Sequence, residues 1–279
     1  MALSMSLIRR IGKACLRFVD YNVVPFFGWL NISKNRYVNV IYYHDVVHDE
    51  GDSYMRTNLS VFVSQMEWLL KQGCETLCFD ELNAETQNFK KMRVLITFDD
   101  GWKSNYTEIF DYMRGRGLKY NVFLTVGEIG INPEYMTWEM VREMHDSGVV
   151  GFGVHTYTHP SMADLTKVDF HHEVKDADIL FEEEMGYKPL DFCYPFGYYS
   201  EESNLRLEKE SGYQRIYTSQ RLYSYTQNGR IVFGRNGIST DYPLYYLNKK
   251  VKGYANWHQT YYNHFYKHIL NLYHFFRKR

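Results

Sequence analysis

The sequence predicts an α/β fold in which seven or eight parallel strands close into a barrel. Short apolar, β-branched runs alternate along the chain with segments of helical period. The number of those runs suits closure of the sheet on itself. The 279 residues contain no internal repeat, low-complexity tract or linker that would divide a barrel of about 250 residues.

Composition narrows the partners. Hydrophobic residues make up 45% of the chain, enough for a substantial core, and a net charge of −1 provides no basic field, so nucleic acid is not an expected partner. Aromatics reach 18%, with 26 Tyr and 18 Phe, which fits sugar faces, lipid headgroups or a Tyr-rich interior alike. Cys15, Cys74, Cys78 and Cys193 lack the paired spacing of a zinc ribbon and read as free thiols.

Residues 1–36 form a basic and apolar helical extension. Arg9, Arg10, Lys13, Arg17 and Asp20 interrupt every window long enough to span a bilayer, so neither a signal peptide nor a transmembrane helix is expected. With Phe26, Phe27 and Trp29, the segment reads either as a helix lying on a membrane or as an amphipathic helix packed on the domain.

Residues 37–240 carry the alternation. "YVNVIYY" (37–43) predicts a strand, and 58–73 a helix with Phe62, Met66 and Leu69 on one face and Gly73 at its end. Strands follow at 74–79 and 93–98, then a helix bearing Tyr106, Ile109, Phe110 and Met113. A strand at 119–126 precedes a helix with Trp138, Val141 and Met144, and "VVGFGV" (149–154) returns as a strand. A helix marked by Phe170, Val174, Leu180 and Phe181, a strand at 191–195, a charged helix near 200–211 and strands at 213–219 and 230–235 complete the series. Residues 241–279 form an aromatic and basic helical tail ending in Arg277-Lys278-Arg279, which reads as a helix docked on the barrel or as one touching a membrane or partner.

The chemistry collects at strand ends, where barrels of this kind place functional groups. The run Val94–Phe98 ends on Asp99-Asp100-Gly101, and two acids beside a buried strand need compensation. The strand at 149–154 ends on His155 and His159, four apart, a spacing that puts both imidazoles on one face of a helical turn, which Pro160 then closes. One carboxylate joined to two histidines makes a divalent-metal site with positions open for water and substrate, and leaves the second carboxylate to act as a base. The strand at 37–43 presents His44-Asp45, and that at 191–195 leads into "YPFG".

"TFDDG" (97–101) with "HTYTH" (155–159) resembles the first two signature motifs of the polysaccharide deacetylase family, the NodB-homology metal-dependent deacetylases of carbohydrate esterase family 4. The likeness extends over about residues 37–240. It implies a distorted (β/α) barrel, Asp99 as general base, and Asp100, His155 and His159 as metal ligands. The cofactor implied is a divalent metal, Zn2+ first, with Co2+, Ni2+, Mn2+ or Fe2+ as other candidates.

Two departures from the family pattern stand out. Its third motif has an arginine two residues before the proline, and this chain has Cys193 there, in Cys193-Tyr194-Pro195-Phe196-Gly197. The Phe196 backbone N–H remains for an oxyanion, and Arg235 in "FGRNGI" is the candidate substitute, with a surface or ion-pair arginine as the alternative. The family's late acid histidine is also missing, since no histidine occurs between His172 and His258. His44 in "YYHDV", which resembles the opening motif of the circularly permuted poly-N-acetylglucosamine de-N-acetylase subgroup, is the remaining candidate for that acid, with capping of the strand or pairing with Asp45 as the alternative.

Tyr194, Pro195 and Trp102 are the substrate-contacting candidates, and Tyr106, Trp138, Tyr198 and Tyr199 could also stack on a sugar at the rim. The expected reaction is removal of N-acetyl groups from an amino sugar in a polysaccharide, glycolipid or lipid-linked unit. The expected setting is bacterial, in the cytoplasm or peripheral at the inner membrane, with membrane contact through the two terminal segments. Alternatives are an O-acetyl esterase or another amide hydrolase with the same apparatus, a glycan-binding relative without turnover, and a membrane-associated scaffold.

Overall fold

Seven parallel strands close on one another because the first of them pairs on both sides. The computed structural model describes residues 14–34, 37–49, 55–82, 92–163 and 170–263. The barrel strands are β1 (Asn39–Tyr43), β5 (Arg93–Phe98), β6 (Tyr120–Leu124), β7 (Val150–Val154), β8 (Asp191–Cys193), β9 (Arg215–Thr218) and β11 (Arg230–Gly237). They pair in that order, and β11 returns to β1, aligning Val40 with Arg235 while Val40 also aligns with Leu95 of β5. Short strands decorate this ring: β4 (Glu75–Thr76) on β5, β10 (Tyr225–Gln227) antiparallel on β11, and a separate pair of β2 (Asp45–Val47) with β3 (Arg56–Asn58). The architecture is a distorted (β/α) barrel.

Two-residue alternation sorts the side chains. Val94, Ile96 and Phe98 of β5, with Tyr120, Val122 and Leu124 of β6, pack outward into the large core shared with the helices. Val40, Leu95, Phe123, Cys193, Tyr217 and Phe233 form a second cluster inside the ring. Space there is tight: a Cβ on Gly153 would meet the Phe123 ring and the Asp191 carbonyl oxygen at 2.8 Å. Polar groups inside the ring are paired, as the buried Asp191 and Arg215 are, their two N–H···O contacts each 2.6 Å long.

The outer layer consists of α1 (Val24–Leu30), α2 (Leu59–Lys71), α3 (Ser104–Thr107), α4 (Phe110–Gly115), α5 (Trp138–Asp146), α6 (Ala177–Met185), α7 (Glu201–Glu210), α8 (Leu244–Val251) and α9 (His258–Tyr261). Side-chain caps begin three of them. Asn58 Oδ1 accepts from the Ser60 and Val61 N–H groups at α2, Thr137 from Met140 at α5, and Ser200 from Ser203 at α7.

Some elements differ from the expectation. The strand expected over 74–79 shortens to Glu75–Thr76, because Glu81 reaches back to accept the Cys78 N–H at 2.8 Å and closes a 3-10 turn over Phe79–Glu81. The helix expected through Tyr106 and Met113 divides into α3 and α4 where Ile109 adopts φ −119°. The four cysteines are free. Arg9, Arg10, Lys13 and the terminal Arg277-Lys278-Arg279 lie outside the described residues.

Candidate metal centre

The centre is built where β5 ends. Asp99 N–H still donates to the Tyr43 carbonyl at 3.0 Å, after which Asp100 and Gly101 turn left-handed, with φ 77° and 92°. The two carboxylates therefore leave the strand in different directions. Both are buried, 3% and 5% exposed.

Asp99 faces a guanidinium. Arg235 Nη1 and Nη2 donate to its Oδ1 and Oδ2 at 2.6 and 2.8 Å, a bidentate pair. Arg235 is fully buried inside the ring and also donates to the Thr97 hydroxyl, the Thr218 carbonyl and the Cys193 sulfur, the last at 2.9 Å. Its guanidinium lies 4.4 Å over the Tyr42 ring. Burial alone would push the Asp99 carboxyl up, but Arg235 outweighs it and holds the group well below the usual carboxylate range. His44 Nε2 stands 4.0 Å from Asp99 Oδ2 at the edge of the same cavity.

Asp100 faces two imidazoles. Its Oδ1 lies 3.6 Å from His155 Nε2 and 3.3 Å from His159 Nε2, and it has no hydrogen-bond partner among the described residues. Its Oδ2 accepts the Trp102 indole N–H at 2.9 Å. His155 Nδ1 donates to the Cys193 carbonyl at 2.8 Å, which fixes the tautomer and turns the Nε2 lone pair toward Asp100. Burial holds both imidazoles toward the neutral form, His155 down to about 3, and it pushes Asp100 up to about 6.

A buried carboxylate oxygen without a donor, facing two neutral nitrogen lone pairs, fits a divalent cation. The same donor set suits Zn2+ and the other first-row ions named above. Asp99, His155 and Cys193 also converge. There, however, the Arg235 guanidinium already bonds both Asp99 oxygens and the sulfur, so a second cation is disfavoured.

The histidines meet by a route the spacing did not suggest. Residues 155–160 are not helical, and Thr156 and His159 turn left-handed, with φ 67° and 65°, so that the ring centroids come to 4.8 Å. Glu173 holds this loop: its carboxylate accepts the Tyr157 and Thr158 N–H groups at 3.0 and 2.8 Å and the Thr158 hydroxyl. Nothing in the sequence marked Glu173, an acid on a helix remote from the motifs. Glu173→Ala is expected to weaken divalent-metal affinity about 10- to 100-fold, measured by competition with a chromogenic chelator.

The open side is a cavity of about 400 Å3, with Met55, Phe196, Tyr198, Ser219 and Gln220 around its rim. Phe196 also turns left-handed, at φ 58°, and its ring stands 4.7 Å from His159. The three expected substrate contacts fall elsewhere. Tyr194 is fully buried, donates to Asn204 Oδ1 at 3.0 Å and stacks on Tyr199, while Pro195 is buried behind Phe196. Trp102 holds Asp100 and stacks on Tyr135 at 4.7 Å. Trp138 sits in the core and Tyr106 donates to Glu143. Of the aromatics considered, Tyr198 faces the cavity.

Known proteins resemble this chain in sequence and in fold. The family model for polysaccharide deacetylase matches residues 86–216. The chain is 29% identical over 196 residues to YxkH of Bacillus subtilis, a protein named for the polysaccharide deacetylases, covering 69% of this chain and 68% of that one. It is 25% identical over 163 residues to the peptidoglycan-N-acetylglucosamine deacetylase of Bacillus cereus, covering 57% of this chain and 56% of that one. In fold it is similar to the Streptococcus pyogenes deacetylase PplD, solved in complex with acetate, with a TM-score of 0.67 at 18% identity, covering 77% of this chain and 97% of that one.

Proposed function

We propose that the chain is a polysaccharide deacetylase, a reading supported by its match to that family over residues 86–216, and that it hydrolyses the acetamide of an N-acetylated amino sugar in a glycan, with a divalent cation held by Asp100, His155 and His159. The observation that carries this reading is the partnerless Asp100 Oδ1 facing two imidazole Nε2 atoms, beside a second carboxylate clamped in its ionised form.

A bound cation, Zn2+ in the first instance, supplies Lewis acidity and lowers the pKa of a water from 15.7 toward about 7. Asp99, kept ionised by Arg235, takes the proton of the attacking water. The Phe196 backbone N–H donates to the oxyanion that forms on the acetyl carbonyl. His44, which lines the same cavity as His155 and His159, protonates the departing amine, which is too basic to leave as an anion. The C–N bond breaks, and acetate and a free amino sugar leave. The named wall of the cavity contains no Lys or Glu, which suits a neutral sugar, and the deacetylase homologue acting on peptidoglycan N-acetylglucosamine supports that substrate class.

The test is acetate release from N-acetylglucosamine oligomers, with and without chelator. Release that stops with chelator and returns with Zn2+ supports the reading, whereas chelator-insensitive release, or none, overturns it. His44→Ala is expected to keep its metal and lose about a hundred- to ten-thousandfold in turnover. A matching O-acetylated sugar separates amide from ester hydrolysis, since an alkoxide depends less on the acid than an amine does.

A further inference from the structure

Residues 14–30 run as one helix, with a π-type turn over Val19–Val23 leading into α1. One side of it is fixed to the barrel. Val24, Pro25 and Gly28 are buried, and a Cβ on Gly28 would lie 1.8 Å from the Tyr254 carbonyl oxygen. Phe27 stacks on Trp257 at 5.0 Å, Arg221 Nη1 donates to Asp20 at 2.6 Å, and Lys249 Nζ donates to the Tyr21 carbonyl at 2.7 Å.

The other side carries exposed apolar side chains. Leu16, Phe18, Phe26, Trp29 and Leu30 are each between 52% and 62% exposed. Phe26 and Trp29, three apart on α1, share a face, their ring centroids 6.3 Å apart. Exposed apolar side chains on a helix already anchored on its inner face are not explained by packing against the described residues.

We propose that this outward stripe rests on the surface of an anionic lipid bilayer, with the helix parallel to it. Charge selects this occupant. Residues 1–19 carry Arg9, Arg10, Lys13 and Arg17 and no acid. Asp20, the first acid in the chain, is turned inward onto Arg221. Phe and Trp beside basic residues match the boundary between acyl chains and anionic headgroups. No helix among the described residues is long and apolar enough to cross a membrane, so the helix lies on the surface. Arg17 reaches Asp241 at 3.0 Å, in the segment that follows β11, so the helix begins on the side of the barrel where the metal centre opens. The inference goes beyond the proposed reaction and stands without it.

The experiment is co-sedimentation of the full chain with vesicles of phosphatidylcholine alone, or with phosphatidylglycerol added. The native protein is expected to pellet with the anionic vesicles and to release as salt rises. Phe26→Ser/Trp29→Ser is expected to lower the partition coefficient at least about tenfold while keeping the native melting profile. Should that pair not fold, Trp29→Phe keeps the apolar anchor, and the loss of brominated-lipid quenching relative to the native chain reads the depth of Trp29 directly. The proposal fails if the native chain stays in the supernatant, if the folded serine variant pellets equally well, or if the substitutions instead convert a native dimer into monomer. Acetate release from soluble oligomers reports the reaction separately, so the two readings fail independently.

Discussion

Asp100→Ala is expected to lose bound metal and turnover together: less than one-tenth of the native metal content by elemental analysis, and acetate release down by at least about a thousandfold. The geometry explains why the loss is joint. In the proposed donor set Asp100 is the single negative charge, and without it two neutral imidazoles face each other across a buried gap. Trp102 loses the acceptor of its indole N–H at the same time. Asp100→Asn separates charge from shape, because asparagine tolerates the left-handed backbone that residue 100 adopts. It should fold like the native protein and bind metal weakly. A folded Asp100→Ala that keeps its metal and its rate would dismiss this carboxylate as a ligand.

Arg235→Ala is expected to be costly in both stability and rate. Removing one partner of a fully buried ion pair leaves the other charge unpaired, at about 3–5 kcal/mol. In the native protein the Asp99 carboxyl titrates below its unfolded value of about 3.9. Its ionised form therefore stabilises the fold above that pH, and the contribution fades as the pH falls through the folded value. Without Arg235, burial is opposed only by the weaker pulls of His155 and His44, and the folded carboxyl is expected to rise above its unfolded value. The sign then reverses, and the deficit of the variant is largest near neutral pH and shrinks on acidification. Urea midpoints of both proteins at pH 4.5 and 7.5 read this about-face. The acid limb of the acetate-release profile should move to higher pH, because Asp99, as the proposed base, must be ionised to accept a proton. Arg235→Lys should not restore the rate, since an ammonium cannot reproduce the two-pronged contact. A variant as stable and active as the native chain would remove Arg235 from the machinery.

How much of this was legible depends on the range over which each feature is encoded. The strands and their terminal acids and histidines were readable because burial on both faces writes continuous apolar runs, and the polar residues that end such runs stand out. The place of Tyr194 could have been read from the alternation through Phe192 and Cys193, since one side chain in the ring puts its neighbours outside it, and Tyr194 indeed packs on Asn204 of α7. Alternation also puts Arg235 on the same side as Phe233. That it lands on Asp99 depends on the closing register between β1, β5 and β11, a long-range fact. Glu173 acts through a loop fold that the sequence pattern does not encode, and the histidines converge through two left-handed residues where the spacing suggested a helical turn.

Four of the five non-glycine residues with positive φ among the described residues, Asp100, Thr156, His159 and Phe196, lie in the three loops that build the candidate metal centre and its cavity. Each such conformation is held against a penalty of about 1–3 kcal/mol by the surrounding framework. Descendants of this chain freed from the need for catalysis would relax there first, trading these positions for glycine or asparagine and gaining heat tolerance as they fall silent. Durability and competence thus pull the same few positions in opposite directions.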